Sequence, residues 1–359
     1  VDLLPTKEIQ PARIRSADVL VIRSVTRVGP ALLNGTTVRA VGSVTSGLDH
    51  VDVEYLRERG MKLIGAAGSN ANSVAEYVIS AILLLAQHRG MTLKGMSVGI
   101  VGVGHVGSLV DEKCRAFGMR TVWNDPPLAR RTGDEKYRPL REIGQADVIT
   151  LHVPLNLQGP DATHHMINER FLEDIRRPFI LINTARGKVV EERSLVKFSR
   201  RRLFQGVIID VWPNEPEVDL EVLDIADIAT PHIAGYSLDG KVRAVDMVYK
   251  GLCRFFKVRE EGTGMDRLDR SDEPVIKIEG PESNEMDVVG KAVLSVYDPR
   301  VDDQRLRKIT GVDPEKRGQY FELLRQSYPV RREFGNYRVN LSEKHVNSQK
   351  VLKKIGFNC

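Results

Sequence analysis

Cysteine is scarce in this chain: Cys114, Cys253 and Cys359 are the only three in 359 residues, and no two form a CxxC pair. That spacing argues against a disulfide framework or a structural zinc site and fits a reducing cytosol. Long apolar runs are missing too. The longest, residues 74–86, carries Glu76 and is too short to cross a bilayer. No basic-then-apolar segment opens the sequence, and its first residue is Val1 rather than Met, so the true start is expected upstream. Internal repeats are absent, and so is any nucleic-acid-binding module. The net charge of +5 gathers at Arg130-Arg131, Arg176-Arg177, Arg200 to Arg202 and Arg331-Arg332. Without such a module these clusters read as solvated helix ends that also attract anionic substrates.

What remains is an ordinary soluble composition, long enough for two or three domains. Apolar strand-like runs at 17–22, 38–44 and 61–66 each end in small polar residues, with a helical stretch at 51–59 closing at Gly60. That rhythm predicts a parallel sheet covered by helices. A long helix is predicted over 73–88, followed by a second α/β unit with strands at 97–101, 121–123, 148–152, 179–183, 207–211 and 228–230. Six strands in that order match a doubly wound nucleotide-binding sheet. A helix over 238–256 is expected to return to the first domain. Residues 258–272 are polar and glycine-containing, as linkers are. Beyond them lie a strand (274–278), a helix (286–297), a weaker strand (337–340) and a last helix (348–355), without a chemical motif.

The sequence GVGHVG at 102–107 follows the first strand of the second unit and opens a helix over 106–117. GxGxxG alone is a weak pattern, but this strand–loop–helix context is the one a dinucleotide needs. Gly102 permits the tight turn, Gly104 lets backbone approach a pyrophosphate, and Gly107 allows close helix–strand packing. The diphosphate would lie on the free N–H groups of that helix. Asp125 ends the next strand, where a carboxylate accepts from the ribose hydroxyls and repels a 2′-phosphate. The expected cofactor is therefore NAD, although Arg130 and Arg131 follow closely.

Three later motifs each deliver one polar side chain to a strand end: NTARG at 183–187, DVWPNEP at 210–216 and PHIAG at 231–235. Arg186 has the planar fork that grips a carboxylate in two places. Histidine side chains titrate near neutrality, so the ring of His232 can take a hydroxyl proton as hydride leaves. Glu215 would hold the other ring nitrogen of His232, although alone it reads equally well as a solvated loop carboxylate. His152 reads as structural or as a neighbour of the cofactor. Adjacent His164 and His165 would point apart on a helix and chelate no metal, and His50, His88, His105 and His345 read as surface or packing residues. No metal site is expected.

On these residues the chain resembles the D-isomer-specific 2-hydroxyacid dehydrogenases. The resemblance implies two doubly wound parallel-sheet domains, a flavodoxin-like lid (1–87 plus 235–257) and an inserted Rossmann NAD domain (88–234). It also implies a small C-terminal α+β dimerisation domain (273–359) after the 258–272 linker. Thr184 and Arg186 would border the nicotinamide ribose, with Ala185 between them; Asp210 would meet the carboxamide and Gly235 the cofactor. IRSVT at 22–26, NDPP at 124–127, HIAGYSLDGK at 232–241, VYDPRVDD at 296–303 and KKIGFN at 353–358 are similar to one branch of that family. That branch oxidises a phosphorylated four-carbon acid in pyridoxal phosphate biosynthesis and dimerises through its tail. Ser24, Thr45 and Tyr236 would touch the substrate, and Arg23 with Thr26 and Lys241 offers cationic and hydroxyl groups for a phosphate. Two departures stand out: the branch has a strand and helix before the region present here, and Val153 replaces its usual threonine. A 3-phosphoglycerate-type dehydrogenase and a non-catalytic NAD-sensing protein on the same scaffold stay open beside this reading.

Overall fold

The computed structural model describes residues 2–262, 274–278 and 285–359. The described chain divides into two compact units, the first drawn from 1–70 and 237–271, the second from 71–236 and 272–359.

In the first unit, β1 (Val19–Ile22), β2 (Ala40–Ser43) and β3 (Lys62–Gly65) form a parallel sheet in that order. Side chains alternate between its faces, as the strand period requires. Leu20, Ile22 and Val41 pack with Leu32, Leu33 and Leu56, while Ile64 packs with Ala244 and Val248 of the helix Leu238–Phe256. Glycine permits that second contact. A Cβ on Gly42 would lie 2.5 Å from Val248 Cγ1, and one on Gly251 would lie 2.4 Å from Ile64 Cγ2. The carboxyl ends of the three strands sit side by side, Ile22 against Ser43 against Gly65. Arg23-Ser24, Thr45-Ser46 and the turn at 66–70 therefore emerge at one edge.

The second unit is built on a six-stranded parallel sheet: β4 (Ser97–Val101), β5 (Arg120–Asn124), β6 (Val148–Leu151), β7 (Phe179–Asn183), β8 (Phe204–Ile209) and β9 (Ile228–Ala229). Their spatial order is β5-β4-β6-β7-β8-β9, so the strand order reverses between β4 and β6. Parallel strands covered on both faces should be continuously apolar, and β4, β6 and β7 are buried at every position.

The unit boundaries differ from the sequence expectation, for reasons visible in the packing. The helix Ala71–Arg89, expected in the lid up to residue 87, belongs to the second unit. It is buried almost all round, the pattern of a helix inside a core rather than on a surface. It packs between the helix His105–Ala116 and the tail helix Glu285–Val296. The tail packs in the same unit. Val289, Val293, Phe334 and Leu352 share one apolar cluster with Ile82, Val110 and Ile180, and Leu306, Ile309, Phe321 and Leu324 share another with Leu181 and Ile209. Beyond the expected strands β10 (Val275–Lys277) and β11 (Arg338–Asn340), it contains two further helices, Pro299–Arg307 and Arg317–Gln326. Most of the expected linker lies outside the described residues. No described helix is long and apolar enough to cross a membrane.

Where the long helix meets the tail, polar groups are buried. Glu76 accepts from Asn72 Nδ2 and from the Phe334 amide, both at 2.9 Å. Burial pushes its carboxyl up to about 8, against the opposing pull of Lys113. Between its ordinary value and 8 the folded protein holds a proton that the unfolded chain has released. Stability therefore falls as pH rises through that window. Glutamine keeps the acceptor oxygen and carries no charge. Glu76→Gln is expected to melt above wild type at pH 8, with the gap shrinking toward pH 5. Scanning calorimetry across that range measures it, and a pH-independent gap would be the contrary result.

Candidate active site

The glycine loop leaves β4 and its three glycines differ in kind. Gly102 has φ +86°, and a Cβ there would lie 2.6 Å from the His152 carbonyl oxygen. A Cβ on Gly107 would lie 2.0 Å from the Gly102 carbonyl oxygen, so the helix start rests directly on the turn. At Gly104 a Cβ would meet nothing within 4 Å. Two glycines are thus required by the protein's own packing, while the third keeps backbone open on the side where a diphosphate approaches. That open cradle fits a dinucleotide, with Gly102, Gly104 and Gly107 as its floor at the point where strand order reverses.

Asp125 follows β5 as expected, and it also organises this loop. Its Oδ2 accepts from the Val103 amide at 2.9 Å, and its Oδ1 caps the helix Pro126–Thr132 through the Leu128 amide at 3.0 Å. Arg130 pairs with Asp161, which offsets its charge beside the loop. His152 ends β6, with Nε2 2.9 Å from Thr150 Oγ1 and Nδ1 3.3 Å from Thr184 Oγ1. Loss of hydration lowers its ring to about 3, so near neutral pH it is uncharged.

Arg186, Glu215 and His232 follow β7, β8 and β9, three adjacent strands, so the sheet itself gathers them. Asn183 shapes the first turn: its side chain accepts from the Ala185 amide and donates to the Arg186 carbonyl, both at 3.1 Å. Arg186 Nη1 donates to the Ala185 carbonyl at 2.8 Å. A Cβ on Gly187 would lie 2.0 Å from the Trp212 carbonyl carbon, so only glycine lets this turn seat against the next loop. Trp212 joins all three loops, because its amide donates to Glu215 Oε1 at 2.9 Å and its indole to the Thr230 carbonyl at 3.0 Å.

Glu215 Oε2 lies 2.8 Å from His232 Nδ1. Burial alone would raise the Glu215 carboxyl, but the His232 ring and the Trp212 amide outweigh it and hold it below its usual range. The bond fixes Nδ1 as the donor and leaves Nε2 for chemistry. His232 has φ +56°, a left-handed backbone that costs a non-glycine residue about 1–2 kcal/mol. Asp210 offsets that cost. Buried, it accepts from Thr230 Oγ1 at 2.6 Å, Ile233 N at 2.8 Å and Ala234 N at 3.0 Å, while its carbonyl takes the His232 amide at 2.7 Å.

Some expectations change. His164 and His165 are not on a helix; their rings stack with centroids 3.9 Å apart. No cluster of three metal-ligating side chains occurs among the described residues. Arg331, expected at a solvated end, is buried, with its guanidinium 4.4 Å from the Tyr297 ring centroid and Nη2 donating to the Ala234 carbonyl at 2.5 Å and the Ser73 carbonyl at 3.1 Å. The role of Trp212 was also missed, although DVW after an apolar run was a signal. Tyr236 lies in the second unit, at the end of the His232 loop. In the first unit Arg23 and Ser24 are exposed at the β1 end, Thr26 is buried, and Thr45 Oγ1 bonds Ser43 Oγ at 2.8 Å. His50, expected as an ordinary residue, lies 3.2 Å from that same Ser43 hydroxyl.

A doubly wound sheet, an open glycine loop and a glutamate-paired histidine are the frame of an NAD-linked dehydrogenase. Comparison agrees: the family described as the NAD-binding domain of D-isomer specific 2-hydroxyacid dehydrogenases matches residues 73–234, and a domain of unknown function matches 272–356. Erythronate-4-phosphate dehydrogenase of Salinibacter ruber is 42% identical over 94% of this chain and 88% of its own. The enzyme of that name from Bacteroides fragilis is 38% identical over 95% and 93%. Among solved structures, D-lactate dehydrogenase of Aquifex aeolicus with NAD and lactic acid superposes with a TM-score of 0.59 at 27% identity, covering 70% of this chain and 86% of its own. The chain belongs to the erythronate-4-phosphate dehydrogenases of the D-isomer-specific 2-hydroxyacid dehydrogenase family.

Glu215→Gln puts an amide beside His232 Nδ1 that can donate to it and favour the wrong tautomer. The variant is expected to lose on the order of 10²-fold or more in kcat while binding NAD as wild type does. Stopped-flow rates and NAD fluorescence titration test this; wild-type kcat would remove Glu215 from the relay.

Proposed function

We propose that the protein oxidises 4-phospho-D-erythronate at C2 to 2-oxo-3-hydroxy-4-phosphobutanoate, a step toward pyridoxal 5′-phosphate. The observation that carries the reading is the 2.8 Å bond between Glu215 and His232 beside the Arg186 turn, in a chain whose relatives bear the name of that activity. Bound NAD supplies the hydride acceptor. His232 Nε2 takes the C2 hydroxyl proton, and Glu215 steadies the imidazolium that results. Arg186 holds the carboxylate and turns C2 toward the cofactor.

Gly102, Gly104 and Gly107 hold the diphosphate and Asp125 the adenosine ribose. Thr184, Ala185, Asp210 and Gly235 line the nicotinamide side. Ser24, Thr45 and Tyr236 contact the substrate, and Arg23 receives the phosphate. The first unit acts as the lid, the 272–359 tail joins two copies of the chain, and the enzyme works in the cytoplasm.

A panel of 2-hydroxy acids with and without a terminal phosphate tests the reading. Phosphoerythronate is expected to turn over with NAD, and His232→Ala is expected to lose about 10²- to 10⁴-fold in rate with NAD still bound. Absence of turnover on every acid, with NAD bound, would make this a binding protein. Arg23→Ala is expected to raise KM for phosphoerythronate and leave KM for NAD unchanged; an unchanged substrate KM would take Arg23 out of the phosphate site.

A further inference from the structure

The tail carries no recognised chemical motif, yet one of its side chains packs against Tyr236, at the end of the His232 loop. Arg325 lies on the helix Arg317–Gln326, within the segment that a domain of unknown function matches. Its side chain is 16% exposed. The guanidinium carbon is 5.8 Å from the centroid of the Tyr236 ring and 5.9 Å from that of Phe321. Nη1 donates to Glu322 at 3.0 Å, the side chain hydrogen-bonds Tyr236, and Glu215 is near enough to attract it. Nε is buried with no hydrogen-bond partner. On its other side the Tyr236 ring meets Tyr328 edge-on, with centroids 5.7 Å apart at 87°. The tail thus holds this tyrosine from two directions.

A helix that only needed to pack would place an apolar residue here. Burying a cation costs desolvation, and the unbonded Nε adds to that cost. A planar guanidinium offers what an apolar group cannot: it lies against an aromatic face while donating to a hydroxyl and leaving its charge near a carboxylate.

We infer that Arg325 is a positioning residue, which fixes Tyr236 in the pose that receives the substrate and so sets substrate affinity. The inference rests on the proposed role of Tyr236 in substrate contact. Arg325 acts through that tyrosine, and the tail contributes to substrate selection as well as to the core.

The test compares wild type, Arg325→Gln, Tyr236→Phe and the double variant in the full-length chain, with phosphoerythronate and NAD. Arg325→Gln is expected to raise substrate KM about tenfold, to change kcat less than threefold and to leave the NAD dissociation constant unaltered. The double variant is expected to have a KM no higher than the worse single variant, because the two residues act as one unit. Arg325→Lys, which keeps the charge but not the planar guanidinium, is expected to fall between wild type and Gln. It carries the test if Arg325→Gln does not fold. Wild-type KM in a folded Arg325→Gln, or in Arg325→Lys where Gln fails to fold, overturns the inference. So do KM effects that multiply in the double variant. A wild-type protein that turns over no phosphoerythronate removes the functional reading itself, and this inference with it.

Discussion

The active-site geometry depends on one buried anion. Asp210 sits at the end of β8 with three donors on its carboxylate and a fourth on its carbonyl. Burial raises its pKa, and the surrounding donors and His232 oppose that rise. A carboxylate in such a place is tolerated only when its lone pairs are taken, so the loop after β9 must wrap it closely. That wrapping turns His232 into its left-handed backbone and aims its ring at Glu215. Thr230 extends the constraint, since its hydroxyl also lies 2.8 Å from the Tyr77 hydroxyl on the long buried helix. A desolvated carboxylate, rather than the histidine itself, sets where the His232 ring stands.

The second constraint comes from the tail. Arg331 Nη2 holds the Ala234 carbonyl, two residues after His232, and the Ser73 carbonyl. Its charge lies against the Tyr297 ring, while Nη1 is buried without a hydrogen-bond partner. Asp302 accepts from the hydroxyls of both Tyr297 and Tyr328, and Tyr328 abuts Tyr236. The path from the tail to the His232 loop therefore runs through a few buried polar groups embedded in shared apolar clusters. Such networks are rigid when satisfied and costly when broken, which suits a loop that has to hold a strained residue.

Much of this was legible in the sequence because the signals were local. The 179–183 strand and the 238–256 helix are found at their expected bounds, and the glycine loop carries its function in its spacing. Arg186, Glu215 and His232 could be ordered because parallel strands put their carboxyl ends on one edge. Other features needed three dimensions. The 73–88 stretch reads as a long helix with an apolar stripe, but only packing tells which unit it fills. The helix Pro299–Arg307 is so rich in charge that no apolar stripe announces it, although Asp298-Pro299 is a start signal and Asp298 does cap it at the Arg300 amide, 3.0 Å away. Arg331 looked like half of a surface doublet because charge in a sequence says nothing about burial.

Asp125 shows how one residue satisfies both readings. The sequence places it as a ribose acceptor, while the fold uses it to tie the glycine loop to the next helix. A carboxylate offers about four lone-pair positions, and the Val103 and Leu128 amides occupy two. Two positions remain for ribose hydroxyls, so the structural bonds do not compete with the expected cofactor contact. They prepare it, because the same two amides fix the carboxylate's orientation beside the open face of Gly104. The expected ribose contact and the order of the loop would consequently share one side chain. A substitution that relaxes the preference for NAD at this position also loosens the cradle, unless the replacement side chain still accepts from both amides.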